Sequence, residues 1–225
     1  MTQTNKSPIK EDPSVQIPVG NVILNGDLFC PLNSGAVVVF AHGSGSSRHS
    51  PRNRYVANVL RDAGLGTLLF DLLTQEEEME DEQTGALRFN IGLLFQRLIQ
   101  VSDWLIRNKE TKNYKIGYFG ASTGAAAALM AAAELPNNTW AVVSRGGRPD
   151  LAINVLSRVK APTLLIVGGD DDEVIRLNQV AYAALKSEKK LEIIPGATHL
   201  FEEPGALEQV AKLATDWFIQ HLGAL

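Results

Sequence analysis

Residues 117–129 read GYFGASTGAAAAL, and the fold turns on how this stretch is understood. An apolar run stops at Ser122, between Gly120 and Gly124, and gives way to alanine. Gly120-Ala121-Ser122-Thr123-Gly124 fits G-x-S-x-G, a sharp strand-to-helix turn that lifts a serine oxygen off the end of a sheet. Bulky neighbours would clash across such a turn, and Gly120, Ala121, Gly124 and Ala125 are all small. The simpler reading is a glycine-rich turn in which Ser122 caps the following helix.

The sequence on either side supplies the context this motif needs. Upstream, VQIPVGNVILNGDLFCP holds two apolar runs split by Gly20-Asn21, which is hairpin chemistry. AVVVFAH and LGTLLFDLL are short, continuous apolar runs, as expected of strands buried on both faces. PRNRYVANVLRDAG between them has helical spacing and ends in glycine. TQEEEMEDEQTG reads as an acidic loop, standing where a lid could grow, and ALRFNIGLLFQRLIQVSDWLIRN as a long amphipathic helix. Downstream, TWAVVSRGG, APTLLIVGG and KKLEIIPGA read as strands. They alternate with a short helix at RPDLAINVLSRV, a helix at EVIRLNQVAYAALKS and a closing helix at GALEQVAKLATDWFIQHL. This alternation predicts an α/β fold: a mostly parallel, doubly wound sheet, an antiparallel N-terminal edge hairpin and helices on both faces.

The chain of 225 residues reads as one domain, 1–225, with residues 1–14 as a polar, proline-punctuated extension. Its composition, 45% hydrophobic and 20% charged, is that of a globular protein, and a net charge of −4 gives no reason to expect nucleic-acid or membrane-surface binding. Cys30 is the single cysteine, so no intrachain disulfide forms. The N-terminus lacks the apolar core of a secretory signal, and no apolar run spans a bilayer, so a cytoplasmic location is expected.

In an open sheet, chemistry collects outside the carboxyl ends of the strands. A nucleophilic serine needs a base and a group that orients the base, expected in the order serine, acid, histidine, with each partner on a post-strand loop. After TLLIVGG come Asp170, Asp171 and Asp172, and after LEIIPGA comes His199. His42 and His49 precede the serine and His221 lies in the last helix, which leaves His199 as the correctly placed base. The residues alone leave open which aspartate partners it, and some of the three complement the dipole of the helix that follows. The loop AHGSGSSRHSPRN after the first buried strand would supply Ser44 N–H, and the elbow Thr123 N–H, as two donors to a developing oxyanion.

AHGSGSS, GYFGASTGAAAAL, LLIVGGDDDEVI and PGATHLFEEPGAL together resemble the α/β-hydrolase superfamily, in its dienelactone-hydrolase-like branch, over about Val15 to Leu222. By this resemblance Asp171 is the acid, and Ser122, Asp171 and His199 form a catalytic triad that cleaves an ester, lactone or similar derivative through an acyl-enzyme. Dienelactone hydrolases proper carry cysteine as nucleophile, whereas Ser122 here implies an ordinary esterase-like mechanism. Such chains are also similar to a domain fused to phosphoribosyltransferases, of which no segment is seen here.

No metal or organic cofactor is expected, and the expected partner is a small-molecule ester or lactone substrate. Arg48, Arg52, Arg145 and Arg148 lie on two post-strand loops and are candidates to bind an anionic part of it. Surface pairing with acidic residues is the competing reading for all four. A dinucleotide site is disfavoured because Arg48 stands where G-x-G-x-x-G from Gly43 requires glycine, and no phosphate-loop lysine motif occurs. The remaining alternative is a catalytically retired α/β-hydrolase that binds a small molecule.

Overall fold

The computed structural model describes residues 13–31 and 34–223, so the first twelve positions of the expected N-terminal extension lie outside the described residues. Ser14 already belongs to a strand. Strands β1 (Ser14–Val19) and β2 (Val22–Phe29) form the expected hairpin across Gly20, whose φ of 56° suits the tight reversal. Six more strands follow: β3 (Ala36–Ala41), β4 (Gly66–Phe70), β5 (Lys115–Ala121), β6 (Thr139–Arg145), β7 (Thr163–Gly168) and β8 (Lys189–Ile194). They join one sheet in the order β1-β2-β4-β3-β5-β6-β7-β8, with β1 and β2 antiparallel and every pair from β4 to β8 parallel.

The continuous apolar runs have the cause the sequence implied. In β3, Val37, Val39 and Ala41 enter one core, while Ala36, Val38 and Phe40 enter the other, because successive side chains leave opposite faces. Helices α3 (Ile91–Arg107), α4 (Thr123–Glu134) and α5 (Asp172–Ala184) close the first core, and α1 (Pro51–Asp62) and α6 (Ala206–Leu222) the second. Helix α4 is rich in alanine because ten of its twelve residues are buried and its small side chains let it lie close against α3 and β5.

Two stretches differ from the sequence reading. The acidic segment is not a loop: Gln75–Thr84 is a helix, α2. It has no apolar stripe, but its ends are explicit. Glu77 N–H donates to Thr74 Oγ1 (3.2 Å), Thr74 N–H donates to the Glu77 carboxylate (2.8 Å), and Gly85 closes the helix with a φ of 64°. The short helix expected at RPDLAINVLSRV is instead two single 3₁₀ turns, Pro149–Ala152 and Leu156–Arg158.

Candidate active site

The turn from β5 into α4 is built by close packing. A Cβ on Gly120 would overlap the Ala125 backbone, and one on Gly124 would collide with the carbonyls of Ala41 and His42 at the end of β3. The chain must therefore reverse in the space between three strands, and Ser122 carries the strain at φ 49°, ψ −122°, a region that non-glycine residues rarely occupy. Its peptide is held on both sides. Ser122 N–H donates to Arg145 O (3.3 Å), and Ser122 O accepts from Ala125 N–H (3.1 Å) and Arg148 N–H (3.0 Å). Its side chain makes no capping hydrogen bond to α4, so the helix-cap explanation of the serine does not apply.

Across the strand end, His199 Nδ1 donates to Asp171 Oδ2 at 2.7 Å. A carboxylate only accepts, so this bond places the proton on Nδ1 and leaves Nε2 of the neutral ring as an acceptor. Asp171 is the residue just before α5, whereas Asp172 and Glu173 sit in its first turn, where they complement the helix dipole. Gly146, which follows β6, keeps His199 near the serine turn: a Cβ there would meet His199 O at 3.1 Å and His199 Cε1 at 3.6 Å. Among the described residues no hydrogen bond joins Ser122 Oγ to His199. In ligand-free active sites such bonds are commonly long and tighten only with substrate.

The loop after β3 lies directly over the turn. A Cβ on Gly43 would come within 3.0 Å of Ser122 Cβ, and the hydroxyls of Ser44 and Thr123 hydrogen-bond at 3.0 Å. The two residues expected to offer backbone donors are thus adjacent in space. Beneath them His42 is buried and fixed in its neutral form: Nε2 accepts from Leu72 N–H (3.0 Å) and Nδ1 donates to Gly43 O (3.0 Å). Burial lowers its pKa, against the opposing pull of the Gly43 carbonyl and Asp71.

From this loop a cavity of about 640 Å³ opens toward α2, with Ser44, Ser47 and Arg52 on one side and Leu73, Glu78 and Asp81 on the other. Asp81 is held in place by Arg88, whose side chain donates to its carboxylate and whose carbonyl accepts from Ser44 Oγ (3.2 Å). The acidic segment is therefore a wall of the cavity, pinned to the serine loop. No group of three or more metal-binding side chains occurs among the described residues.

The four candidate arginines meet different fates. Arg48 is bound by Asp71, with Asp27 at 3.7 Å. Arg148 makes a bidentate pair with Asp150, both bonds at 2.9 Å. Arg52 pairs with Glu202 (2.7 Å), an acid whose side chain is 63% exposed. Arg145 is 6% exposed and has no carboxylate partner among the described residues. Its Nη2 donates to Asn53 Oδ1 (3.3 Å), and its guanidinium lies 5.7 Å from the centre of the Phe201 ring. Asn53 and Phe201 belonged to no sequence motif. Phe201 carries one signal in the backbone, a φ of 56° two residues after His199. Cys30 lies just past β2, and burial, with Glu110 nearby, pushes its thiol up to about 11, which keeps it in the poorly nucleophilic form.

A mostly parallel sheet whose strand ends bring together a strained serine turn and a carboxylate-paired histidine defines an α/β-hydrolase. Residues 34–217 match the family described as "Alpha/beta hydrolase domain", and the chain belongs to it, in its dienelactone-hydrolase-like branch. It is 60% identical to a crystal structure of a dienelactone hydrolase from Anabaena variabilis, covering 92% of this chain and 96% of that one, with a TM-score of 0.91. It is also 59% identical over 215 residues to a Mycobacterium tuberculosis protein that bears the name of a phosphoribosyl transferase. That match takes in 96% of this chain but 48% of the relative, so the chain spans about half the relative's length. Est1E of Butyrivibrio proteoclasticus shares the fold at 16% identity, with a TM-score of 0.80 over 94% of this chain and 99% of its own. No helix of the described residues is long and apolar enough to cross a membrane.

Proposed function

We propose that the protein is a serine hydrolase that cleaves an ester, lactone or similar carboxylic acid derivative through an acyl-enzyme. The observation that carries this reading is the state of Ser122: a non-glycine residue held at φ 49°, with its hydroxyl not used to cap the helix behind it. Strain of that kind persists where the surrounding structure enforces it, commonly at functional sites.

In this mechanism Ser122 Oγ attacks the carbonyl carbon while His199 Nε2 takes its proton. Asp171 holds Nδ1–H, which fixes the tautomer and stabilises the imidazolium that forms. The N–H groups of Thr123 and Ser44 stabilise the tetrahedral oxyanion, and each such donor is worth about 10²–10³ in turnover. The imidazolium then protonates the leaving alcohol oxygen. Water repeats the sequence on the acyl-enzyme, releasing the acid and restoring Ser122. The activity named for the M. tuberculosis relative belongs to a protein of about twice this length.

Intact-protein mass after treatment with a fluorophosphonate tests the proposal. Wild type is expected to gain one adduct and Ser122→Ala none. A folded wild type that gains no adduct and hydrolyses no acyl ester would overturn it.

A further inference from the structure

We propose that Asp81, the buried acid of α2, is a positioning residue for the oxyanion donors: through Arg88 and the Ser44 hydroxyl it holds the N–H groups of Ser44 and Thr123 in place. The inference rests on the serine-hydrolase reading and adds to it a residue that acts from outside the triad.

Asp81 is out of character for its helix. It is the only buried residue of α2, and it is a carboxylate where an amphipathic helix would bury an apolar side chain. Taking a carboxylate out of water is costly unless donors surround it. Here they do. Oδ1 accepts from Leu87 N–H (2.6 Å) and Arg88 N–H (3.0 Å), Oδ2 accepts from Arg88 Nε, and Arg88 Nη2 donates to the Asp81 carbonyl (2.7 Å). These bonds run to the two residues that carry the chain from α2 toward α3. The helix is tied to α3 separately, by Glu77, which accepts from the buried Arg97. Asp81 therefore serves to fix the backbone at Arg88.

What Arg88 holds in turn is Ser44. The Ser44 hydroxyl donates to Arg88 O (3.2 Å), and a hydroxyl has one proton, so at the 3.0 Å contact with Thr123 it is the acceptor. The bonds thus run one way, from Thr123 Oγ1 through Ser44 Oγ to the Arg88 carbonyl. Among the described residues these two are the only hydrogen bonds of Ser44: its own N–H and carbonyl make none, and neither does Thr123 N–H. Gly43 and Gly45 flank it, Gly45 at a φ of 67°, so the backbone offers little restraint of its own. The Arg88 guanidinium lies along the same stretch, since a Cβ on Gly45 would meet Nη1 at 3.7 Å. Two free N–H groups on residues joined through their hydroxyls, beside the strained turn, suit one oxyanion bound between them. A misplacement of about 1 Å in such a site costs about a hundredfold in rate, so an acid that fixes Arg88 contributes to turnover through Ser44.

A double-mutant cycle with p-nitrophenyl acetate, an ester with a minimal acyl group, tests the proposal. Asp81→Ala is expected to lower kcat about tenfold to a hundredfold, with KM within about threefold of wild type. Asp81→Asn should recover part of the loss, because its Oδ1 still accepts from the N–H groups of Leu87 and Arg88. Ser44→Ala should lower kcat similarly, and adding Asp81→Ala to it should cost no more than about twofold further, since the linkage is already cut. A general loosening of the fold would instead multiply the two losses. Should Asp81→Ala not fold, Asp81→Asn carries the same cycle, with an expected loss of about threefold or more. An unchanged kcat in the folded Asp81 variant, or multiplied losses in the double variant, would overturn the proposal. The amide resonances of Ser44 and Thr123 in isotope-labelled protein give a readout that needs no turnover, and both are expected to shift in the Asp81 variant. A wild type that neither hydrolyses the ester nor gains a fluorophosphonate adduct would count against the serine chemistry. The resonances then decide the linkage from Asp81 to the two donors: shifted, they uphold it, and unmoved, they overturn it.

Discussion

His42 and His199 stand on equivalent loops, one after β3 and one after β8, both at the carboxyl edge of the sheet. They are the same residue used in opposite ways. His42 is sealed under the Ser44 loop, with a backbone amide on one nitrogen and a backbone carbonyl on the other. It has no ring nitrogen left for chemistry, and burial keeps it neutral. The His199 side chain is 41% exposed and, among the described residues, its one hydrogen bond is to a carboxylate, which strengthens as the ring becomes charged. A histidine bonded to the backbone at both nitrogens is a strut. A histidine bonded to a carboxylate at one nitrogen and open at the other can move a proton.

The contrast can be broken by substitution. The largest effect should come from His199→Ala: ester turnover is expected to fall by about 10⁴ or more, with the melting temperature nearly unchanged. A variant retaining more than a tenth of wild-type kcat would remove His199 from the mechanism. Asp171→Asn should follow, with a loss of about 10³–10⁴ in kcat, since the amide no longer holds Nδ1–H or stabilises the imidazolium. Equal activity of Asn and wild type would mean that the 2.7 Å bond only orders a loop.

His42→Ala should do the reverse. Removing a buried ring and orphaning Leu72 N–H costs about 2–3 kcal/mol, or roughly 5–10 °C in melting temperature for a chain of this size. Calorimetry showing no change would mean that the loop is held by other contacts. The smallest effect is in pH dependence. Burial depresses His42 below the ordinary 6.5, so the unfolded chain takes up this proton first as pH falls. Its contribution to stability is present above pH 6.5 and is lost progressively below it, until the folded form also protonates. Denaturant titrations at pH 7.5 and 5.5 should therefore show a smaller pH-dependent loss of stability in His42→Ala than in wild type.

Legibility followed the range of the forces involved. The serine turn was readable because its requirements are local: Gly120 and Gly124 sit where a side chain would strike neighbouring backbone, and only small residues meet that demand. The strand order of chemistry was readable because a parallel sheet puts every post-strand loop on one edge. Helix α2 has no apolar periodicity to show it in the sequence, because it is held by its caps instead. Thr74, Glu77 and Gly85 were the available signal. The identity of the acid came from resemblance, and the structure brings Asp171, not Asp170 or Asp172, to His199.

By itself, the sequence determined the α/β architecture, the edge hairpin, the strained turn at Ser122 and the two loops that face it. These follow from patterns within a few residues, where hydrophobic alternation and steric limits act directly. Tertiary structure alone decided which of four arginines are already neutralised and which histidine is a strut. Those outcomes depend on partners far away in the chain, such as Asp71 for Arg48, Glu202 for Arg52 and Leu72 for His42. Charge and proton affinity are set by what surrounds a group in space, and a chain read in order does not display that.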